Sequence, residues 1–430
     1  MSEANSKSVL RDRPSMFALT TGHQTPSTGN VNVSGGGDAV NLEVTGDPSC
    51  PAWIPFDPSE HGLSPDFRLT KFGDPLGRIN KPTNESFRSL LSLVGLSQDQ
   101  KRESSDQSHV PSPGDDTTTV TKLDHLGLHL LESSHMLCPI IEDPHMMGMI
   151  ACAGVLSGIY CLGVTQLASV RMTLGVPNNL EGIETRVMVS LLIRGFKAAA
   201  KSANLTLQSV QLVSNPWFMV GGSASAVCYH HELVPPDGAT IGDVIVLTKP
   251  LGTMVAVTVS HWMEQPKRRN RMMLAINEED AKRALFRAVD CMTRTNRVAS
   301  VLMRKYNAHA ACEVAHLGIL GHAEMLVRRQ KNNVSFVIHN MPVIAKMTGA
   351  AKITGNVLPL MEGRVPEVSG GLLVVLPREQ AAAYCKALEK TEQRQAWIVG
   401  IVENGYHKAR VIDRPRVIEV PPRENGTSIW

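Results

Sequence analysis

Apolar residues recur along the chain in two rhythms, alternating or short unbroken runs that mark strands and helical spacings of three and four that mark helices. Both meet between Glu132 and Val164, ESSHMLCPIIEDPHMMGMIACAGVLSGIYCLGV, where a strand feeds a helix packed with small residues. Asp143-Pro144 is a helix start, because a carboxylate caps free N–H groups and proline at the first position gives up a donor that had no partner. Gly163 is the stop, so the helix is expected over Pro144 to Leu162. Within it, Gly154 and Gly158 share one face. Each glycine costs about 1 kcal/mol relative to alanine in a helix interior. That face therefore either meets another backbone closely or lacks side chains it once carried.

The same reading places strands at Leu126 to Leu131 and Val210 to Val213, and a pair at Trp217 to Val220 and Ala224 to Tyr229 around Gly221-Gly222. A helix is expected over Thr185 to Ser202, with Val187, Leu191, Leu192 and Phe196 at helical spacing. Gly242 to Thr253, GDVIVLTKPLGT, is a buried strand entering a Gly/Pro-bounded loop and opens a second domain. Helices follow at Glu278 to Lys305, Ile319 to Gln330, Val343 to Ala351 and Arg378 to Lys390. Strands follow at Val334 to His339, Gly371 to Leu376, Trp397 to Val402 and Ala409 to Val420. The fold class is α/β in two unequal domains, 120–233 and 234–425. They stand behind a disordered tail, 1–50, and an extended arm with a flexible linker, 51–119, whose Trp53, Phe56, Phe67 and Phe72 lie across the folded body.

With 430 residues, 43% of them hydrophobic, the chain can build substantial cores. A net charge of +3 gives no global attraction to nucleic acid or membrane. The basic run Lys267, Arg268, Arg269, Arg271 reads as a solvated loop or helix entry. Eight scattered cysteines without zinc spacing read as reduced, mostly buried thiols of a cytoplasmic protein. No signal-peptide core or transmembrane run is visible.

Eight segments match one family in collinear order: FRLTKF at Phe67, PIIEDPHMMGMIACAGVLSGIY at Pro139, SNPW at Ser214, GDVIVLTKPLGTMVAV at Gly242, NAHAACEVAHLGILGHA at Asn307, VSFVIHNMPVIAKM at Val334, SGGLLVVLPREQAA at Ser369 and QAWIVGIVENG at Gln395. The chain resembles eukaryotic selenophosphate synthetase, the selenide, water dikinase of the aminoimidazole ribonucleotide synthetase-like superfamily, with the insect and animal branch most similar. The resemblance implies a dimer whose amino-terminal-domain sheets join into a barrel. It also implies an ATP-dependent activity that makes selenophosphate, AMP and phosphate, with Mg²⁺ held by aspartates. A glycine-rich loop carrying Cys or selenocysteine and a lysine closes over the site. Hard Mg²⁺ prefers carboxylate oxygens, and a triphosphate needs metal and lysine to spread its charge.

Taken residue by residue, the resemblance implies a degenerate site. The closing loop is Gly77-Arg78-Ile79-Asn80-Lys81, with Arg78 in the nucleophile slot, where a guanidinium has no lone pair to offer. Lys81 is left as the catalytic candidate, reaching a phosphate or simply solvated. The first metal aspartate aligns with Thr117, so Asp116 is a ligand if the loop shifts by one, or else a solvent-exposed residue of the linker. Ser133-Ser134-His135 replaces two threonines and an aspartate. His135 either contacts phosphate or packs as a hydrogen-bonded histidine, since imidazole is a poor Mg²⁺ ligand. Gly154 and Gly158 replace Asn and a metal Asp. Ser209-Val210-Gln211-Leu212 replaces a Gly-Gly-Gln-Thr phosphate loop, Glu313 replaces a metal aspartate as a weakened ligand or a salt-bridged residue, His316 replaces a glycine, and Val368 replaces a threonine.

Losses concentrate on residues that would touch metal, phosphate or selenium, while core strands and helices keep the family pattern. Deleting one charge-stabilising group typically costs about 2.7 to 4 kcal/mol in the transition state. The expectation is an inactive or strongly impaired paralogue acting as a homodimer or as a heterodimer with an active relative. The alternatives are an ATP-using enzyme with rearranged ligands Asp116, Glu313 and Lys81, or a metal-free anion binder using Lys81, Arg78 and His135.

Overall fold

Pro144–Tyr160 forms α1, and every residue in it except His145 is buried. A helix that is apolar all round has no solvent face, and α1 accordingly lies in the middle of the fold. Asp143 accepts a hydrogen bond from the Met146 amide at 2.9 Å and caps the start. Gly163, with φ +80°, lets the chain turn away, its amide donating to the Tyr160 carbonyl. The computed structural model describes residues 55–72, 118–123 and 126–421. The expected disordered tail, the loop 77–81 and the linker residues Asp115, Asp116 and Thr117 lie outside the described residues.

A five-stranded sheet covers one side of α1. Its strands are β1 (Thr118–Leu123), β2 (Leu128–Leu137), β3 (Ser169–Pro177), β4 (Ser209–Asn215) and β5 (Met219–Tyr229), in the order β1-β2-β5-β3-β4. A second helix, α2 (Gly182–Ser202), crosses α1 against this sheet. The close backbone approach of the two helices occurs at Gly148 and Gly195. A Cβ on Gly148 would stand 2.1 Å from the Leu192 carbonyl oxygen, and one on Gly195 would stand 1.8 Å from that of His145.

The other side of α1 meets a second layer. It contains β6 (Val244–Leu247), α3 (Thr253–Met263), α4 (Pro266–Met272), α5 (Glu278–Thr293), α6 (Arg297–Lys305), β7 (Ala310–Glu313), α7 (Gly318–Val327), β8 (Val334–Ile344), α8 (Met347–Ile353), β9 (Leu372–Leu376), α9 (Arg378–Glu392), β10 (Trp397–Asn404) and β11 (Ala409–Val420). Six strands form one sheet in the order β11-β8-β10-β6-β9-β7. The layers are tied through α1: Asn296 Nδ2 donates to Ser157 Oγ at 2.8 Å and to the Gly370 carbonyl at 2.9 Å, and Ser369 Oγ donates to the Ile150 carbonyl at 2.8 Å. Both layers belong to one compact unit, Gly46–Trp430.

Three expectations are corrected. The two short strands about Gly221-Gly222 are one continuous strand, β5, because these glycines lie in the sheet plane where neighbouring backbone approaches: a Cβ on Gly221 would be 1.9 Å from the His135 carbonyl oxygen. The helix expected over Glu278 to Lys305 is two helices, broken at Arg294, whose extended backbone (φ −72°, ψ 129°) ends α5. The helix expected from Val343 begins at Met347, since β8 runs on to Ile344 and pairs with β11 there. Of the expected arm, residues 55–72 are described and Trp53 lies outside them; within that stretch Leu63, Phe67 and Leu69 are buried in and beside short 3-10 segments, and the Phe218 amide donates to the Phe72 carbonyl at 2.8 Å.

Candidate functional site

Five of the expected site positions meet where the end of β2 and the middle of α1 face the ends of β7 and β9. His135 comes from β2, Gly154 from α1, Glu313 from the end of β7, His316 from the turn after it, and Val368, beside Ser369, from the loop entering β9. Strand pairing fixes this junction: Glu313 lies opposite Leu372, the Val314 amide donates to the Gly371 carbonyl at 2.8 Å, and the Glu367 amide donates to the Ala315 carbonyl at 3.0 Å. Ser369 turns the loop with φ 44° and tethers it to α1 through its hydroxyl.

Little space remains at this junction. The cavity lined by His135, Glu313, His316, Glu367, Val368 and Ser369 has a volume of about 10 Å³. That is about one water, whereas sites for drug-sized ligands run to hundreds of Å³. The two helix glycines explain the filling. A Cβ on Gly154 would stand 2.7 Å from His135 Cδ2 and 3.1 Å from Ser369 Oγ, and one on Gly158 would stand 2.1 Å from Thr118 Oγ1 and 2.6 Å from Ser133 Oγ. Of the two explanations for the glycine face, close backbone approach is excluded. Side chains from β1, β2 and the β9 loop occupy the volume that larger residues on α1 would need.

The described residues do not fit a magnesium site. His135 is half-buried, Gly158 offers no side-chain oxygen, and Glu313 is the carboxylate left among the expected ligands in this region. The other carboxylate on the cavity wall, Glu367, is committed elsewhere: it accepts from the Gly252 amide at 2.6 Å, from the Thr253 amide at 3.0 Å and from the Thr253 hydroxyl. It thereby caps the buried start of α3. Burial pushes its carboxyl up to about 7 against the pull of those hydrogen bonds. Among the described residues, no group of three or more His, Cys, Asp or Glu side chains is placed to hold a metal ion.

Lys249 and Glu367 are the site-region residues that pattern reading missed. Lys249 is buried, with Nζ donating to the Arg294 carbonyl at 2.6 Å and to the Ser369 carbonyl at 2.8 Å. Desolvation, reinforced by the Arg294 charge, brings its ammonium down to about 7. It ties the β9 loop at Ser369 to the end of α5 at Arg294. A lysine in an otherwise apolar strand-to-loop run is the signal that could have singled it out, since Lys is almost never fully buried unpaired.

Two groups of expected positions do not join this cluster. Ser209, Val210, Gln211 and Leu212 lie on β4, the sheet edge, separated from β2 by β5 and β3. Three strand spacings put them about 14 Å away. Lys81, Arg78 and Asp116 lie outside the described residues.

Residues 240–413 match the family model described as AIR synthase related protein, C-terminal domain. Selenide, water dikinase 3 of Danio rerio is 40% identical over 406 residues, covering 87% of this chain and 90% of that protein. Selenide, water dikinase 2 of Homo sapiens is 41% identical over 395 residues, covering 86% and 88%, and selenide, water dikinase 2 of Drosophila melanogaster is 34% identical over 339 residues, covering 78% and 90%. Among solved structures, thiamine monophosphate kinase from Aquifex aeolicus superposes with a TM-score of 0.53 at 18% identity, covering 77% of this chain and 99% of that one. The hydrogenase maturation protein HypE in its complex with HypF superposes at 0.54 with 13% identity, covering 74% and 99%. The structural likeness shows a shared fold, and the 40% identity along most of both sequences shows kinship: the chain belongs to the selenide, water dikinase family.

Proposed function

We propose that this family member has lost, or retains only in strongly impaired form, the ATP-dependent synthesis of selenophosphate, and acts by association as a homodimer or with an active relative. The observation that carries this reading is the filled junction: about 10 Å³ of space, with His135 packed against Gly154. A triphosphate with its metals cannot enter that volume without displacing His135 and Ser369. In this reading 51–119 is the arm, 120–233 the dimerisation domain and 234–425 the carboxyl-terminal domain of a cytoplasmic protein. The fold is compatible with assembly, since HypE, which shares it, is found in complex with HypF. Purified protein incubated with ATP, Mg²⁺ and selenide is expected to release no AMP above the no-enzyme control; robust AMP formation overturns the proposal.

A second reading keeps an ATP-using enzyme with Asp116, Glu313 and Lys81 as rearranged ligands. It is favoured by the charge kept at Glu313 on the cavity wall and by the AMPPCP complex of a ThiL protein with the same fold. It predicts Mg²⁺-dependent heat on ATP titration, lost in Lys81→Ala and Glu313→Ala. No heat at millimolar ATP removes it.

A further inference from the structure

Helix α2 turns Met188, Leu192, Gly195, Phe196 and Ala199 inward, and it packs on α1 through that face. Its outward face carries one sign of charge. At 3.6 residues per turn, Arg186, Arg194, Lys197 and Lys201 fall within an arc of about 80° centred opposite the buried residues. Their Cα atoms extend along about 22 Å of the helix axis. All four are exposed, and among the described residues none of the four side chains has a hydrogen-bond or ion-pair partner.

The stripe is free of opposite charge. No Asp or Glu occurs between Glu184 and Glu232, and Glu184 is committed to the helix start, where its carboxylate accepts from the Glu181 amide at 3.1 Å. A helix face that serves solubility alone carries both signs interspersed, with Glu and Lys at i,i+4 supporting each other. The helix dipole accounts for Lys201 in the last turn, but it fades beyond that turn and does not reach Arg186 or Arg194.

Four unneutralised cations in line are complementary to a polyanion. A double helix carries one negative charge per about 1.7 Å of its axis, so a straight stripe of this length meets several phosphates at once. Other polyanions fit it less well. Single strands are held by stacking on exposed aromatic rings, and the aromatic residue of α2, Phe196, is buried. Lipid surfaces take a basic helix through apolar side chains beside the charges; here Val189 and Ile193 pack against the core, and the exposed Ile183 stands before the first cation.

We infer that Arg186, Arg194, Lys197 and Lys201 on α2 bind the phosphate backbone of a nucleic-acid duplex. Phosphate contacts carry no sequence information, so the binding is indifferent to sequence. The net charge of +3 gives the whole chain no such attraction; the attraction is local to this face. It is independent of what the junction between the layers does with ATP.

Fluorescence anisotropy of a labelled, mixed-sequence DNA duplex with the full chain tests this. Affinity should fall by about 100-fold between about 50 and 200 mM salt, a log–log slope of about −3.6 for four phosphates neutralised. Each single change, Arg186→Gln, Arg194→Gln, Lys197→Gln or Lys201→Gln, should reduce the slope by about one, and the fourfold variant should not bind. Glutamine is a good helix former, and thermal melts verify that these surface variants fold. Neutralising Lys267, Arg268 and Arg271 on α4 removes a similar charge elsewhere and should leave the slope unchanged; a loss equal to that of the α2 variants overturns the assignment to this face. No duplex binding at low salt, or binding that survives the fourfold variant, overturns the inference. So does tighter binding to the single strand than to the duplex, or binding to phosphatidylserine vesicles without binding to the duplex.

Discussion

A Cβ on Gly154 would stand 2.7 Å from His135 Cδ2, so the helix face and the strand end are matched to each other in volume. The resemblance places Asn at the helix position and Asp at the strand position. In the fold the histidine on the strand stands opposite a helix residue with no side chain, in the space that side chain would need. The two positions behave as one packing unit.

That coupling is measurable. Gly154→Asn alone overpacks the junction and is expected to destabilise the protein by about 1–3 kcal/mol, the usual range for added atoms in a filled core. His135→Ala opens the space that an asparagine on the helix would need, so the double variant should be more stable than the sum of the singles by about 1 kcal/mol or more. Urea unfolding of the four proteins closes the cycle. Additive behaviour would show that the strand and helix positions do not share the same space.

Building a carboxylate pair at His135 and Gly158 requires more than two substitutions. Gly158→Asp places Cβ 2.1 Å from Thr118 Oγ1 and 2.6 Å from Ser133 Oγ, both on buried residues. His135→Asp with Gly158→Asp is therefore expected to lower stability by about 2 kcal/mol or more and to add no Mg²⁺ affinity. Adding Thr118→Ala and Ser133→Ala is expected to recover part of the stability and to give the first Mg²⁺ heat in calorimetry. Tight Mg²⁺ binding by the two-substitution variant would contradict the packing of the glycine face.

Much of the fold could be read in the sequence because it follows from period and caps. Asp143-Pro144 and Gly163 bounded α1, and β11 and the core of β4 came from alternation. The hydrophobic pattern could not separate a turn at Gly221-Gly222 from a glycine pair inside a sheet, since the deciding fact is the His135 carbonyl on the neighbouring strand. At the site, His135, Gly154 and Gly158 could be singled out one by one, but their packing against one another could not. A missing side chain reads as an empty place in a sequence. In the fold His135, Ser369, Ser133 and Thr118 occupy it. Lys249 escaped for a related reason: its partners are carbonyls of Arg294 and Ser369, distant in the chain and invisible to any pattern of side chains.

Two buried ionisable groups give the stability a dip near neutral pH. Glu367 has its carboxyl raised from 4.5 to about 7, so between those values the folded state binds more protons than the unfolded one. Stability then falls as pH rises from about 4.5 to 7. Lys249 has its ammonium lowered from 10.5 to about 7, so above 7 the unfolded state binds more protons and stability climbs towards 10.5. Each limb amounts to a few kcal/mol at most. Denaturant midpoints from about pH 4.5 to 10 should show the dip. Glu367→Gln should flatten the acid limb and Lys249→Met the alkaline one. A profile that rises monotonically through neutrality would argue against both assignments.

Asp290 tests what holds the second layer together. It is buried between Arg394, which contacts it from Nη2 at 2.7 Å and Nε at 3.2 Å, and Arg287, whose Nη1 lies at 3.1 Å, and so joins α5 to the turn that follows α9. Both arginines are about one tenth exposed or less. Removing the carboxylate leaves two guanidinium groups facing each other with little solvent, a loss of about 3–5 kcal/mol for a broken buried pair. Asp290→Ala should therefore lower the unfolding free energy by that amount. Asp290→Asn, which keeps shape and one acceptor oxygen, should lose less. Because α5 packs directly on α1, the Ala variant is also expected to loosen the tie from Asn296 to Ser157, with faster hydrogen exchange at the amides of α1. Exchange in α1 unchanged from wild type would show that the ion pair stabilises the second layer without reaching the helix on which the junction is built.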